Sequence, residues 1–322
     1  MKILVAMSGG IDSTMTALLL REQGYELVGV TFRTFDSMKE SCIANEKGCC
    51  TIDSIMEAKR LCESLGIEHH IVDFREAFRK SVIENFISEY QHGRTPNPCV
   101  LCNKCIKWGE LLQVADEYHC EKIATGHYAR IVEQDGHYYL RRAVDTKKDQ
   151  TYFLWQLTEE NLMQTLFPLG DYTKEQVRAM AAERGYVRLS QKTESQDICF
   201  IPNGDVKGFL NQYLPDFTPY TIGQRKGLGV ALGYPAYVKS INPLTFGHHD
   251  ELYTHDVALK DGYFRGDWAR PVMAQIRYRS AATEARYDGA LHFAEPVWAV
   301  TPGQSAVMYQ DDLLVGGGVI SD

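Results

Sequence analysis

The chain has 322 residues, 44% apolar and 24% charged, with 34 Lys and Arg against 42 Asp and Glu for a formal charge of −8. That length suggests about two domains at roughly 150 residues each, and the composition excludes disorder as the main state. An acidic total argues against a general coat for polyanions, although recognition rests on local patches. Two acid-free stretches, 217–249 with Arg225, Lys226 and Lys239, and 268–283 with Arg270, Arg277 and Arg279, read from charge alone as ordinary loop composition. No run of about 18 apolar residues exists, so no membrane span is expected. The opening MKILVAMSGG breaks into glycines too soon for a signal peptide, and nine cysteines, an odd number, argue against a disulfide framework. A cytoplasmic protein is expected.

In chain order, residues 2–7 (KILVAM) predict a buried parallel strand, followed by a helix over 13–23 stopped by Gly24 and a strand over 26–32. Asp53 can cap a helix with Ile55, Ala58, Cys62 and Leu65 on its apolar face, ended by Gly66. A strand over 70–74 precedes a helix striped by Phe78, Val82, Phe86 and Tyr90 and closed by Gly93. A proline-rich loop then leads into a helix ending near Tyr118, and a fourth strand covers 122–125. This alternation predicts an α/β fold with a doubly wound parallel sheet, whose ligands sit at the carboxyl ends of the strands. Beyond about residue 200 short alternating runs replace helices, among them YPAYVKSI, AQIRYR, PVWAV, SAVMYQ and LLVGGGVI. They predict small antiparallel β units. The expected division is a catalytic domain over 1–200, a small central domain over 201–250 and a β-barrel-like domain over 251–322.

Five segments carry chemistry. Ser8-Gly9-Gly10-Ile11-Asp12-Ser13 lies between a strand and a helix. Its glycines let backbone N–H groups converge on an anion, and the helix N-terminus adds partial positive charge. No Gly-Lys-Ser/Thr follows, so it is not a Walker A loop. In Thr95-Pro96-Asn97-Pro98-Cys99-x-x-Cys102-Asn103-x-Cys105 two prolines stiffen the loop. Cys102 is expected to begin or precede a helix, which would favour its thiolate. The C-x2-C-x2-C spacing also admits a zinc or iron–sulfur site, without a local fourth ligand. Ser195-Gln196-Asp197-Ile198-Cys199-Phe200 supplies a second candidate thiol, and the sequence leaves open whether it meets Cys102. Lys147-Lys148-Asp149-Gln150-Thr151-Tyr152-Phe153 joins basic and aromatic residues that can bind phosphate and stack on bases, and equally reads as a solvated turn. Gly223-Gln224-Arg225-Lys226-Gly227-Leu228-Gly229 is a flexible basic loop. Cys62 and Cys120 read as core filler.

Taken together, these segments resemble the bacterial tRNA-specific 2-thiouridylases, of the N-type ATP pyrophosphatase superfamily. The resemblance runs through the 8–13 loop, TPNPC-x-x-CN at 95–103, ATGHY at 124–128, KDQTYFL at 148–154, SQDICFI at 195–201, TIGQRKGLG at 221–229, and PGQ with GGG-x-I over 302–320. It implies that ATP adenylates the C2 oxygen of the wobble uridine, and that a persulfide sulfur then replaces it. Family position implies Cys199 as persulfide carrier and Cys102 as nucleophile. It places Ala6, Met7, Ser8, Gly9, Gly10, Ile11, Asp12, Ser13, Phe32 and Gly126 at ATP. Asn97, Pro98 and Cys99 fall at the target base, and His127, Lys148, Asp149, Gln150, Arg277, Tyr278 and Gln304 at tRNA. Mg²⁺ is expected on the ATP phosphates, and a cysteine desulfurase or persulfide relay protein as sulfur donor.

The chain departs from the family pattern in three places. Cys99 stands where some members carry Asp, the segment over 210–220 is short, and Phe32 replaces a common Met. Resemblance to cluster-dependent tRNA thiolases allows an alternative in which Cys99, Cys102 and Cys199 ligate a 4Fe–4S cluster. A second alternative is an adenylating ligase acting on a small molecule.

Overall fold

The computed structural model describes residues 1–35, 52–192, 198–201, 204–230 and 232–322. The chain divides into two compact units: Met1–Val82 with Cys99–Asp205, and Ile83–Pro98 with Val206–Asp322.

The first unit is built on β1 (Lys2–Ala6), β2 (Glu26–Arg33), β3 (Glu68–Asp73), β4 (Lys122–Ala124), a hairpin of β5 (Arg130–Gln134) and β6 (His137–Arg141), and the two-residue β7 (Thr165–Leu166). Five strands form a parallel sheet in the order β3-β2-β1-β4-β7. Successive side chains of a strand point to opposite faces. Ile3, Val5 and Met7 accordingly join one core with Met15, Leu18, Ala58, Cys62, Val177 and Ala181, and the buried Leu4 faces the other way. Helices α1 (Ile11–Glu22) and α2 (Ile52–Leu65) supply much of that core. A Cβ on Gly29 of β2 would lie 2.8 Å from Cys62 Sγ, so the glycine lets α2 sit close to the sheet. Burial first, and the Glu63 charge second, push the Cys62 thiol up to about 11, as suits a packing residue.

The parallel sheet agrees with the sequence reading, with shifted ends. Helix α1 starts at Ile11, two residues before the expected start, and Asp53 lies inside α2, which begins at Ile52. Residues 98–117 are helical throughout: Pro98–Leu101, a π-helical stretch Cys102–Glu110, then Leu111–Glu117. Cys102 is therefore one turn inside a helix that starts with Pro98, a residue suited to the first helical position. The expected position at the helix start is corrected. The hairpin β5–β6, strand β7 and the helix Lys174–Glu183 have no counterpart in the sequence reading.

The second unit holds the helix Glu84–Gln91, a short helix Val206–Leu210, a hairpin of β8 (Tyr237–Ile241) and β9 (Leu244–Gly247), and six further strands. These are β10 (Tyr253–Phe264), β11 (Val272–Gln275), β12 (Thr283–Tyr287), β13 (Ala290–Trp298), β14 (Ser305–Gln310) and β15 (Leu313–Ile320). They pair in the order β10-β13-β12-β11-β14-β15, and β10 also pairs with β15, so the sheet closes into an antiparallel barrel. Val257, Val272, Leu291, Phe293, Met308 and Ile320 fill its interior. Closure explains the glycine run of β15. A Cβ on Gly316 would stand 2.4 Å from Tyr263 O, and one on Gly318 2.9 Å from Leu259 Cβ, so only glycines let β10 approach.

Candidate active site

The turn from β1 into α1 is shaped by Gly9 and Ser13. Gly9 has φ +69°, and a Cβ there would lie 2.2 Å from Ser54 O in α2. The loop can run this close to α2 only with glycine. The Ser8 amide and hydroxyl each donate to Ser13 Oγ at 3.2 Å, and Ser13 Oγ donates to Gly10 O at 3.1 Å. Gly10 caps α1 without a side chain, so the first-turn N–H groups, which have no partner within a helix, are left for a ligand. This arrangement suits an oxyanion.

A cavity of about 240 Å³ opens at this turn, at the carboxyl ends of the strands. It is lined by Ala6, Met7, Ser8, Asp12, Ser13, Thr31, Phe32, Lys107, Thr125, Gly126, His127 and Gln150. Seven of the residues expected at ATP line it, whereas Gly9, Gly10 and Ile11 shape the loop behind. Phe32, 6.1 Å from Phe74 between ring centroids, offers a flat apolar face. A Cβ on Gly126 would stand 2.9 Å from both the Asp12 carbonyl carbon and Asp12 Cβ, so this glycine keeps the cavity floor against α1. The Asp12 carboxylate accepts two bonds from Lys174 Nζ at 2.8 Å and one from Tyr128 Oη at 2.9 Å. The buried Lys174 thus offsets a negative charge that would otherwise face an incoming phosphate.

His127 and Gln150, expected at tRNA, line this same cavity. Gln150 Oε1 accepts from the Tyr128 amide at 2.9 Å. The His127 ring packs against Trp108 and Phe167, and Lys107 Nζ lies 3.2 Å from His127 Nε2. An ammonium has only donors, so Nε2 accepts, and Nδ1 carries the proton and donates to Thr125 Oγ1 at 2.7 Å. Desolvation first, and the Lys107 charge second, hold His127 well below its ordinary pKa, consistent with this neutral tautomer. Lys107, Thr31, Thr125 and Lys174 were missed in the sequence, because nothing local distinguishes them from surface or core residues.

Thr31, at the cavity wall, donates to Met7 O at 2.7 Å, so its oxygen accepts from His69 Nε2 at 2.8 Å. Asp149 is buried and braces its own loop, accepting from Arg142, the Ala143 amide and Thr151 Oγ1 at 3.2, 3.0 and 2.8 Å. Lys148 is half-buried.

Cys99, Cys102 and Cys199 belong to the same unit as the cavity. Cys199 is exposed on a turn closed by Ile201 N–H donating to Ile198 O at 2.9 Å, whereas Phe200 and Ile201 are buried. The Phe200 ring meets Phe78 edge-on at 5.7 Å, and the Arg75–Phe78 turn packs against the Cys102–Glu110 helix. Both thiols are thus carried by segments with a common neighbour. Ser195, Gln196 and Asp197 lie outside the described residues. Among the described residues no three His, Cys, Asp or Glu side chains are placed to hold a metal ion. With Asp12 engaged by Lys174 and Tyr128, Mg²⁺ fits as a companion of the ATP phosphates rather than as an ion in a protein cage.

In the second unit, residues 93–97 are fastened from several sides. Arg94 donates to both Glu89 oxygens at 2.7 Å. The Thr95 amide donates to Pro302 O at 2.9 Å, and Gln304 Nε2 donates to Thr95 O at 2.8 Å and Pro96 O at 3.2 Å. Gly303, with φ +90°, passes so close that a Cβ would lie 3.0 Å from Thr95 O. Gln304 therefore holds the loop that carries Asn97 and Pro98. Arg277 donates to Ile222 O at 3.0 Å, and also to Ala299 O and Thr301 Oγ1, which ties the 221–229 loop to the barrel. Tyr278 is half-buried under Arg279, whose guanidinium lies 5.3 Å from the ring centroid.

Residues 1–203 match the family model described as tRNA methyl transferase HUP domain, and residues 267–320 the one described as Aminomethyltransferase beta-barrel domain. The chain is 45% identical to the tRNA-specific 2-thiouridylase MnmA of Amoebophilus asiaticus, covering 99% of this chain and 95% of that protein. Against the protein of the same name from Salinibacter ruber the identity is 42%, covering 100% and 94%. A solved structure described as a 4-thiouridine synthetase – RNA complex with bound ATP aligns over 67% of this chain and 50% of that one, with 18% identity and a TM-score of 0.40. The two MnmA alignments run over 358 and 369 positions, more than the 322 residues here, so these relatives carry segments that this chain lacks. The chain belongs to the family of the tRNA-specific 2-thiouridylases MnmA.

Proposed function

We propose that this chain is an ATP-dependent tRNA sulfurtransferase that converts the wobble uridine to 2-thiouridine. The uridine C2 oxygen attacks the α-phosphorus of ATP, and pyrophosphate leaves with the electron pair of the broken P–O bond. Adenylation turns a poor leaving group into AMP. Cys199 carries the incoming sulfur as a persulfide, delivered by a cysteine desulfurase or a persulfide relay protein. Attack of the Cys102 thiolate on the Cys199 sulfur frees the terminal sulfide, which displaces AMP at C2. The two cysteines end as a disulfide that an external thiol reduces. Asn97, Pro98 and Cys99 contact the target base, and Lys148 and Tyr278 contact tRNA. Asp149, Arg277 and Gln304 serve by fixing the loops that do so.

Functionally the chain divides into a catalytic part over 1–200, a small central part over 201–250 and a barrel-like tRNA-binding part over 251–322. A cytoplasmic setting fits this reading, since it supplies ATP and tRNA and keeps thiols reduced. Among the described residues no helix is long and apolar enough to cross a membrane.

One observation carries the reading: a cavity built by a serine- and glycine-rich βα turn lies in the same unit as Cys102 and Cys199. The test is thiolation of a wobble-uridine tRNA by the purified protein with ATP and a persulfide donor, quantified by nucleoside analysis. Cys102→Ser and Cys199→Ser are each expected to abolish 2-thiouridine while ATP binding persists; unchanged product in either variant would refute the assignment.

A further inference from the structure

The π-helical stretch Cys102–Glu110 aims a cation at the nucleotide cavity. In an α-helix at 3.6 residues per turn, residues five apart are separated by about 140° around the axis. In a π-helix, with its i→i+5 hydrogen bonds, they lie closer to a common face, and the Leu111 amide donating to Ile106 O shows that pattern here. Lys107 lies in this stretch, and its side chain lines the cavity with Ser8 and Ser13. Its charge also reaches Cys99, where it opposes the upward push of desolvation on that thiol.

Among the described residues, the one hydrogen bond of Lys107 is to His127 Nε2 at 3.2 Å. Two N–H donors of the ammonium are therefore left for a ligand. His127 is in turn fixed by Thr125 and by the rings of Trp108 and Phe167. A neutral imidazole is the fitting partner, since it holds an ammonium as an acceptor without cancelling its charge. The other ammonium beside the phosphate loop, that of Lys174, is turned to Asp12.

We propose that Lys107, positioned by the neutral His127 and Thr125 pair, is a catalytic residue that binds the α-phosphate of ATP and stabilises the negative charge developing there as the uridine oxygen attacks. The O–P bond forms, the bond to pyrophosphate breaks with its electron pair on the leaving oxygen, and Lys107 keeps its proton throughout. This inference rests on the adenylation reading but is tested without tRNA.

The experiment is calorimetric binding of Mg-ATP and of adenosine to the full chain and to Lys107→Met, Lys107→Arg, His127→Phe and the Lys107→Met/His127→Phe double variant. The readout is the ratio of the two dissociation constants, which general damage to the fold does not move. Lys107→Met is expected to weaken ATP about ten- to a hundredfold relative to adenosine, the scale of a lost charge-assisted hydrogen bond. Lys107→Arg should recover part of that loss. His127→Phe should shift the ratio less, and the double variant should be no worse than Lys107→Met alone. An unchanged ratio in Lys107→Met overturns the proposal, including the case in which only Cys99 reactivity changes. Additive losses in the double variant overturn the positioning role of His127. If wild type makes no 2-thiouridine yet the ratio shifts, the tRNA reading fails and the phosphate contact stands; if it makes 2-thiouridine and the ratio is unmoved, only this inference fails.

Discussion

In the first unit the phosphate loop is made by residues five apart in sequence, Ser8 and Ser13, on one βα turn. In the second, the loop bearing Asn97 and Pro98 is held by contacts spanning 209 residues from Thr95 to Gln304 and 126 from Thr95 to Thr221. A local turn draws its geometry from φ preferences and a helix terminus. A loop held from afar forms only once the barrel has folded and the long closures have been made. Damage to the first kind of site should abolish nucleotide binding outright; damage to the second should misplace the base while leaving both substrates bound.

The largest effect is expected at Gly9. With φ +69° and a Cβ 2.2 Å from Ser54 O, Gly9→Ala must shift α1 against α2. We expect a loss of about 3 kcal/mol or more in the stability of the first unit, with ATP binding abolished. Chemical denaturation followed by nucleotide titration would measure both. A variant of wild-type stability and affinity would show that the loop yields easily.

Gln304→Ala sharpens the contrast. Removing the donor to Thr95 O and Pro96 O should lower kcat for thiolation about tenfold, with the Kd for tRNA changed less than about twofold. If Gln304 instead acts by direct contact, tRNA binding would weaken and kcat would hold; filter binding beside single-turnover kinetics separates the two.

A smaller effect concerns pH. The pKa of His127 is held below 6.5, by desolvation foremost. The unfolded chain therefore takes up a proton first as pH falls, so the contribution of this group to the stability of the first unit is full above 6.5 and declines below it. His69, lowered mainly by desolvation and then by His70 and Lys59, acts in the same direction. Between pH 7 and 5, wild type should lose more stability than His127→Gln. Parallel loss in the two proteins would place the proton elsewhere.

Much of the first unit was legible. The KILVAM run, the two glycines and the serine at 13 announce a strand, a turn and a helix, and Phe32 falls at the end of the next strand as the apolar pattern predicts. Cys102 was misread as lying at a helix start, because Pro98 begins the helix a turn earlier. Lys107 was invisible, since its place in the cavity depends on a π-helical stretch that leaves no mark in residue spacing. The barrel was legible as a class, but its long first strand Tyr253–Phe264 went unseen because charges at Asp256, Lys260 and Asp261 interrupt its alternation. The roles of Arg277 and Gln304 as braces could not be read at all, for their partners are mostly backbone carbonyls whose nearness only the closed barrel creates.

The central claim is that adenylation belongs to the phosphate loop and sulfur transfer to the two thiols. It is tested most directly by tRNA-dependent pyrophosphate release from Cys199→Ser. The account predicts a burst of about one pyrophosphate per chain, with adenylated tRNA accumulating and no 2-thiouridine formed. Undiminished 2-thiouridine, or a wild-type protein that releases no pyrophosphate when tRNA is added, would contradict it.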